Sequence, residues 1–313
     1  MNERPAKYSV VIPVFNSRSI VGTTIDRTVA FFESRDLPYE VILVNDGSPD
    51  GSWDVIRDKA LHNKNLVAVN LLKNYGQHVA NICGLRRATG DWVITMDDDL
   101  QNPPEEIAHL ISAAEEGHDV VFGRFEIKQA SRIRSIGSKT IGMINRRIFG
   151  QPRDLIVSNF RIMRRDVVDR ICATRSAFPY ITGLALLNSR NRANVQVRHE
   201  PRAVGKSNYS FRRIAQLVMT ILFSYSLFPL RLMAVLGAVI ATMSFAIGGV
   251  YLLLAAVRGI NIPGWTTVVV LLAFLNGVTI LMLSMLGEYT IRTLNQVSNA
   301  ESYHVVDVVA VGR

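Results

Sequence analysis

The stretch TMDDDLQNPPEE, residues 95–106, decides the fold class of this chain. It begins at the end of the apolar, strand-like run 92–96 and ends in Pro-Pro-Glu-Glu, which is typical of the first turn of a helix. On extended backbone Asp97 and Asp99 point the same way, so both carboxylates can share one hard divalent cation. An acidic surface turn would have the same composition. The position after a buried-type strand favours a ligand site, because open α/β sheets bind ligands at the carboxyl ends of their strands.

Strand-like and helix-like runs alternate from the start of the chain to residue 122. The strand-like runs are 8–14, 39–45, 66–72, 92–96 and 119–122, and the helix-like runs are 21–34, 53–64, 77–88 and 105–116. This alternation predicts parallel strands joined by crossover helices, an α/β domain. A further, basic helix is predicted over residues 132–149.

The second strand ends in the motif NDGS, residues 45–48. Asp46 at this position could accept hydrogen bonds from a base or a ribose. A helix-capping turn made by Ser48 and Asp50 fits the same residues equally well. Both interpretations stay open at the level of the sequence.

The first and third strands end in motifs of the same kind. Pro13 is predicted to end central pairing of the first strand, which leaves backbone and the Phe15 ring to line a pocket. The motif NYGQH, residues 74–78, begins a helix whose first turn could bind an anion or could be a plain cap.

The C-terminal third contains two long runs without charge, residues 232–257 and 259–287. Each run exceeds the roughly 20 apolar residues that cross a bilayer, so two transmembrane helices are predicted. A pair of buried core helices is the alternative. Residues 207–227 have apolar side chains at helical spacing behind two arginines, and they predict an amphipathic helix that lies in the membrane interface or packs on the preceding domain.

Basic residues flank the first uncharged run on one side. Five precede it closely (Arg202, Lys206, Arg212, Arg213 and Arg231), whereas the short turn between the runs has Arg258 alone. The positive-inside rule therefore predicts a cytoplasmic domain over residues 1–206, an interfacial region over 207–229, two spans over 230–290 and a cytoplasmic tail over 291–313. The expected location is the inner (plasma) membrane, with several crossings.

The net charge of +9 does not indicate a nucleic-acid partner, since no basic and aromatic nucleic-acid module is visible. The charge is concentrated near the membrane-type segments. Between Arg124 and Arg147 there are seven Lys and Arg residues against the single acid Glu126. A basic surface of this kind attracts anionic headgroups or a lipid phosphate.

Five motifs in this order resemble one family. They are PVFN at 13–16, NDGS at 45–48, NYGQH at 74–78, DDDLQNPPEE at 97–106 and GKSNYSF at 205–211. The set resembles glycosyltransferase family 2, in the branch of polyprenyl-phosphate glycosyltransferases. The resemblance covers nearly the whole chain, including the two C-terminal apolar segments.

The resemblance implies an α/β GT-A (Rossmann-like) domain, a nucleotide-sugar donor that is expected to be a UDP-sugar, and an undecaprenyl-phosphate acceptor. It also implies inversion at the sugar and a homo-oligomer. By position, Mg²⁺ or Mn²⁺ would be bound by Asp97, Asp99 and Gln101. The nucleotide sugar would be bound by Pro13, Phe15, Asn16, Asp46, Asp97 and Asp98. The acceptor phosphate would be bound by Arg124, Arg134, Arg161, Lys206 and Arg212.

One departure concerns the run Ser-Asn-Phe-Arg, residues 158–161, which resembles the family's Ser-Gly-Phe-Arg. The family usually places an Asp six residues before that Arg, and this position is Leu155 here. Asp154 precedes it by one residue, so Asp154 joins Asp97 and Asp99 as a catalytic candidate.

Three other functions fit less well. A processive polysaccharide synthase would need a Gln-x-x-Arg-Trp motif, but no Trp of this chain follows an Arg. A transporter would need charges inside its spans. A non-catalytic membrane scaffold with a degenerate transferase domain is the remaining alternative, and the intact Asp97, Asp99 and Gln101 argue against it.

Overall fold

The structure, a computed structural model, describes residues 5–125, 132–174, 178–200, 211–258, 264–297 and 303–311. Contacts divide the chain into two units. The first comprises Met1–Gln216 together with Ala300–Arg313, and the second comprises Leu217–Asn299. The domain boundaries expected from the sequence stay predictions, but the return of the C-terminal residues to the first unit was not foreseen.

An eight-stranded mixed sheet forms the centre of the first unit, in the order β7-β5-β6-β4-β1-β2-β3-β8. The strands are β1 Tyr8–Val14, β2 Tyr39–Asn45, β3 Leu66–Leu71, β4 Trp92–Thr95, β5 Val120–Phe125, β6 Arg161–Arg164, β7 Arg192–Val197 and β8 Val305–Ala310. Strands β3, β2, β1 and β4 are parallel, β5 and β7 are parallel to each other, and β6 and β8 run antiparallel to their neighbours. Every residue of β1 and β2 is buried, as expected for strands covered on both faces.

Helices connect and cover these strands. In the first unit they are α1 Val21–Glu33, α2 Ser52–His62, α3 Gln77–Leu85, α4 Ile107–Glu115, α5 Arg132–Phe149, α6 Arg165–Ala173 and α7 Ile181–Leu187, and a 3₁₀ turn over Pro104–Glu106 precedes α4. The predicted alternation is confirmed, with helix and strand ends that shift by up to three residues. The basic helix α5 has the predicted bounds.

The prediction that Pro13 ends central pairing is wrong on one side of β1. Pairing with β4 does stop at Val11, but pairing with β2 continues through Pro13 and Val14. Successive residues of a strand bond to opposite neighbours, so Pro13 faces β4, where the ladder has already ended. Proline lacks an N–H, but no strand on that side needs a hydrogen bond from this position, so the sheet loses none.

The apolar C-terminal part consists of α8 Phe211–Tyr225, α9 Phe228–Arg258 and α10 Trp265–Val297. A helix is confirmed over α8, and residues 207–210 lie outside the described part. The place of this helix in a membrane interface stays a prediction. Helix α8 meets α9 at a bend of 82°. Within the described residues one helix, α10, is long and apolar enough to cross a membrane, and a second crossing results only if the bent pair of α8 and α9 is taken as one span. The two predicted spans stay a prediction.

Candidate active site

The turn after β4 brings Asp97, Asp98 and Asp99 to the edge of the sheet. Leu100 adopts a φ of 56°, a left-handed conformation that is uncommon for a residue with a side chain. The Leu100 side chain is buried, and the backbone N–H of Gln101 donates a 3.1 Å hydrogen bond to Oδ1 of Asp99. The tight turn therefore holds Asp99 and Gln101, two of the predicted metal ligands, next to each other.

The three carboxylates are partly buried and repel one another. Loss of hydration, followed by the charges of Asp99 and Asp98, raises the pKa of Asp97 to about 7. Loss of hydration also raises the pKa of Asp98 to about 6, with the charge of Asp99 adding to it. A divalent cation would relieve this repulsion, and hard carboxylate and amide oxygens suit Mg²⁺ or Mn²⁺. The residues present therefore fit such an ion.

Only two carboxylates and one amide make up the predicted metal set Asp97, Asp99 and Gln101. Within the described ranges, no group of three or more His, Cys, Asp or Glu side chains could hold a metal ion. An ion bound here would thus need oxygen ligands from outside the protein, such as phosphate or water.

Asp98 connects the carboxylate turn to the segment after β1. Its carboxylate accepts a 3.3 Å hydrogen bond from the backbone N–H of Phe15, and its backbone carbonyl accepts a 2.8 Å bond from the hydroxyl of Thr24. Asn16 has a φ of 55° and donates its backbone N–H to the hydroxyl of Ser48. The ring of Phe15 is 43% exposed, so it borders the open edge of the sheet.

Asp46 is buried at the end of β2 and organises the loop after β3. Its two carboxylate oxygens accept hydrogen bonds of 2.7 and 2.8 Å from the backbone N–H groups of Tyr75 and Gly76. Gly47 has a φ of 64°, and a Cβ there would lie 2.5 Å from the carbonyl carbon of Lys73. Burial raises the pKa of Asp46, and the two N–H groups oppose that rise. The NDGS motif thus holds the NYGQH loop in place through the carboxylate of Asp46.

Arg161 is fully buried below the carboxylate turn rather than exposed on a surface. Its Nε donates to the hydroxyl of Thr95 at 3.1 Å, and one terminal nitrogen donates to the hydroxyl of Thr182 at 3.0 Å. The other terminal nitrogen, Nη2, has no hydrogen-bond partner among the described residues. Burial lowers the pKa of Arg161 to about 10, and the negative charge of Asp97 is among the influences that oppose the decrease.

The family model Glycosyl transferase family 2 matches residues 9–172, more than half of the chain. The chain belongs to glycosyl transferase family 2. The match contains β1 from its second residue, β2 to β6, the turn of three carboxylates and the NDGS and NYGQH motifs. The predicted family is confirmed, and the protein is a glycosyltransferase.

The relatives place the enzyme in the polyprenyl-phosphate branch. The undecaprenyl-phosphate 4-deoxy-4-formamido-L-arabinose transferase of Proteus mirabilis is 35% identical over 312 residues, which cover 99% of this chain and 96% of the relative. Among solved structures, the glucosyl-3-phosphoglycerate synthase of Mycobacterium tuberculosis with UDP has a TM-score of 0.50 at 17% identity, over 70% of this chain and 78% of that one. The same synthase with Mn²⁺, UDP-glucose and phosphoglyceric acid has a TM-score of 0.49 at 15% identity, over the same shares.

The other predicted site residues of this glycosyltransferase are spread more widely. Arg124 is exposed near the end of β5, and Asp154 is exposed in the segment between α5 and β6. Leu155, at the position of the family's Asp, is buried and faces the interior. Arg134 lies in α5 and Arg212 in α8, whereas Lys206 lies outside the described residues. The structure therefore brings together the residues predicted to bind the donor, whereas the assignment of the acceptor residues stays a prediction.

Sequence reasoning missed the segment after β7, which contacts the carboxylate turn. The backbone N–H of Glu200 donates to the carbonyl of Gln101 at 2.9 Å, and the Nε2 atoms of Gln101 and His199 are 3.4 Å apart. Arg198 donates from its Nε to the buried carboxylate of Glu106 at 2.6 Å. The local sequence does not predict these contacts, because nearly 100 residues separate the two segments. His199 is thus a neighbour of the predicted metal ligand Gln101.

Proposed function

We propose that this enzyme transfers a sugar from a nucleotide-sugar donor, expected to be a UDP-sugar, to undecaprenyl phosphate at the cytoplasmic face of the inner membrane. The observation that carries the proposal is the cluster of partly buried, mutually repelling carboxylates at the end of β4. The undecaprenyl-phosphate acceptor in the name of the Proteus mirabilis relative supports the acceptor class. The product would serve cell-envelope glycan synthesis or lipopolysaccharide modification.

The donor would lie along the edge formed by the ends of β1, β2 and β4. The exposed ring of Phe15 offers a face for the base, next to Pro13 and Asn16. Asp46 would act at the nucleoside end, and Asp97 and Asp98 would act nearer the diphosphate. A Mg²⁺ or Mn²⁺ ion held by Asp97, Asp99 and Gln101 would neutralise charge that develops on the departing diphosphate.

The acceptor supplies its own nucleophile. A phosphate monoester has a second pKa near 6, so at neutral pH it is largely ionised and needs positioning more than a strong base. A phosphate oxygen would form a bond to the anomeric carbon from the face opposite the diphosphate. The carbon–oxygen bond to the diphosphate would break, which releases UDP and inverts the sugar.

Positive side chains would hold the acceptor phosphate. The proposed set is Arg124, Arg134, Arg161, Lys206 and Arg212, of which Arg161 could act only from below the site because it is fully buried. Asp154 stays a candidate for a catalytic carboxylate, and comparison of Asp154→Ala with the wild-type enzyme decides its role. The apolar helices α9 and α10 would anchor the enzyme in the membrane, with α8 at the interface and several copies associated in a homo-oligomer.

The deciding experiment measures UDP release by purified protein in detergent. The assay contains undecaprenyl phosphate, Mg²⁺ or Mn²⁺ and, one at a time, UDP-sugars including UDP-glucose, UDP-N-acetylglucosamine and a UDP-4-formamidoarabinose. Lipid-dependent release with one donor would establish the reaction and its sugar. If folded protein with either metal binds no UDP and releases none, the proposed UDP-sugar donor is wrong.

A further inference from the structure

The C-terminal strand β8 lies at the edge of the sheet that borders the NYGQH motif. It pairs antiparallel with β3 from Val67 opposite Ala310 to Leu71 opposite Val305. The backbone contacts continue beyond the ladder, because the N–H of Leu72 donates to the carbonyl of His304 at 3.0 Å. The chain that follows the apolar helices therefore forms the edge strand of the sheet in the first unit.

Tyr303 anchors the start of this segment on α3. Its ring is buried, and the guanidinium carbon of Arg86 lies 5.8 Å from the ring centre. One residue later, the backbone N–H of His304 donates a 3.3 Å hydrogen bond to the hydroxyl of Tyr75. The C-terminal segment thus contacts β3, α3 and the loop between them. We call that loop together with the first residue of α3, residues 72–77, the bridging loop.

The bridging loop touches both ends of the proposed donor site. The N–H groups of Tyr75 and Gly76 donate to Asp46 at the proposed nucleoside end. The side-chain nitrogen of Gln77 donates to Oδ1 of Asp97 at the proposed metal end. A shift of this loop would therefore alter both ends together.

The bridging loop itself is poorly covered. Leu72, Lys73 and Asn74 are exposed, and Gly76 has a φ of 94° with open space around the position of a Cβ. Segments with few buried contacts open at low free-energy cost unless another element holds them. The backbone of His304 holds the loop through its two hydrogen bonds, one with the N–H of Leu72 and one with the hydroxyl of Tyr75.

We propose that the C-terminal segment 303–310 holds the bridging loop in its ligand-binding conformation, with Tyr75 as the positioning residue through which it acts. The proposal rests on the proposed function, because it assigns the effect to nucleotide binding. A loop that is fixed before the ligand binds loses less conformational entropy on binding. The affinity for the nucleotide therefore depends on how firmly the C-terminal segment fixes the bridging loop. The C-terminal strand is then part of the donor site, although it lies more than 200 residues away in sequence.

The first test is Tyr75→Phe, which removes only the hydroxyl that accepts from His304. Loss of one neutral hydrogen bond predicts an increase in the dissociation constant of UDP with Mn²⁺ of about 3- to 10-fold, measured by titration calorimetry on the full-length protein. The turnover number at saturating donor should change less than twofold. The matched control is Tyr39→Phe, which removes a hydroxyl bonded to Glu33 at the opposite end of β2 and should leave the UDP affinity unchanged.

The second test is hydrogen exchange, which needs no ligand. In full-length Tyr75→Phe, the amides of residues 75 and 76 should exchange about 3- to 10-fold faster than in the wild type, because the hydrogen bonds of these amides to Asp46 open more often. Amides in the β1–β2 ladder should keep their protection, which shows that the domain stays folded.

The outcomes separate the two proposals. Unchanged UDP affinity in Tyr75→Phe together with unchanged exchange at residues 75 and 76 would overturn the role of the C-terminal segment. If the wild-type protein binds no UDP, the proposed donor is wrong, and the exchange measurement alone then decides whether the segment holds the loop.

Discussion

Arg161 and Thr95 lie opposite each other in the ladder between β4 and β6, and Nε of Arg161 donates a 3.1 Å hydrogen bond to the Thr95 hydroxyl. Thr95 in turn donates to the carbonyl of Asn159 at 2.6 Å. Because Asp97 follows Thr95 by two residues, this buried chain of hydrogen bonds joins the interior of the sheet to the carboxylate turn. The positive charge of Arg161 also opposes the rise in the pKa of Asp97.

Replacement of Arg161 by Met should destabilise the protein. The hydroxyls of Thr95 and Thr182 lose a charged donor, and such hydrogen bonds contribute about 1.5–3 kcal/mol each to the free energy of unfolding. Thermal unfolding in detergent should show a clear decrease in Tm, and Arg161→Lys should recover part of it. The control is Arg57→Met on the exposed face of α2. Equal Tm values for wild type and Arg161→Met would contradict the structural role.

Removal of the Asp99 carboxylate should abolish transfer. Asp99→Ala takes away one of two carboxylates proposed to hold the metal, so kcat/KM should decrease on the order of 100-fold or more, even with excess metal. UDP release measures the loss, and Mn²⁺ binding measured by electron paramagnetic resonance should weaken in parallel. The control is Asp54→Asn, which removes an exposed carboxylate at the start of α2. Full activity of Asp99→Ala with added metal would show that Asp99 is not a metal ligand.

The contact between His199 and Gln101 predicts an effect on metal affinity. His199→Phe keeps a ring beside Phe125, whose centre lies 4.8 Å from that of His199, but removes the nitrogen next to the Gln101 amide. The metal concentration for half-maximal activity should rise by about 3- to 10-fold, the range for one lost hydrogen bond. His199→Gln, whose amide oxygen can reach the position of Nε2, can still accept from the amide and should recover part of the loss. An equal metal requirement in wild type and His199→Phe would show that the contact does not position Gln101.

His78 predicts how stability depends on pH. Burial, with the charge of Arg161 second, lowers the pKa of His78 to about 4, whereas an unfolded His takes up its proton near pH 6.5. Between these values the unfolded chain binds more protons, so the free energy of unfolding decreases as the pH falls. One such proton contributes at most about 1.4 kcal/mol per pH unit.

The variant His78→Phe tests this dependence. Nδ1 of His78 has no hydrogen-bond partner among the described residues, and the ring packs edge-on against Phe178 and Tyr180, so Phe should fit. Denaturant titration at pH 7.5 and pH 5 should show a smaller loss of stability in the variant than in the wild type. His62→Phe, at an exposed position, should keep the wild-type dependence. The same loss in both variants would show that His78 does not carry the effect.

The sequence by itself determined the alternating first half of the domain and the carboxylate turn. Strands β1 to β4 and helices α1 to α4 are encoded by local patterns, since apolar runs predict buried strands and the spacing of apolar side chains predicts helices. The order of the motifs also determined the family, which the family model confirms. Both signals are local, so neither requires knowledge of which segments meet in space.

Only the tertiary structure decided which distant segments meet at the site. Strand β6 is four residues long and begins with a charged Arg161, and nothing local indicates that this side chain lies fully buried. Strand β8 follows the apolar helices, in the region predicted as a cytoplasmic tail, and its pairing with β3 was not predicted. His199 reaches Gln101 only because β7 lies in the same sheet as β4. Strand pairing across long loops is set by the total burial and hydrogen bonding of the sheet, which a local pattern does not encode.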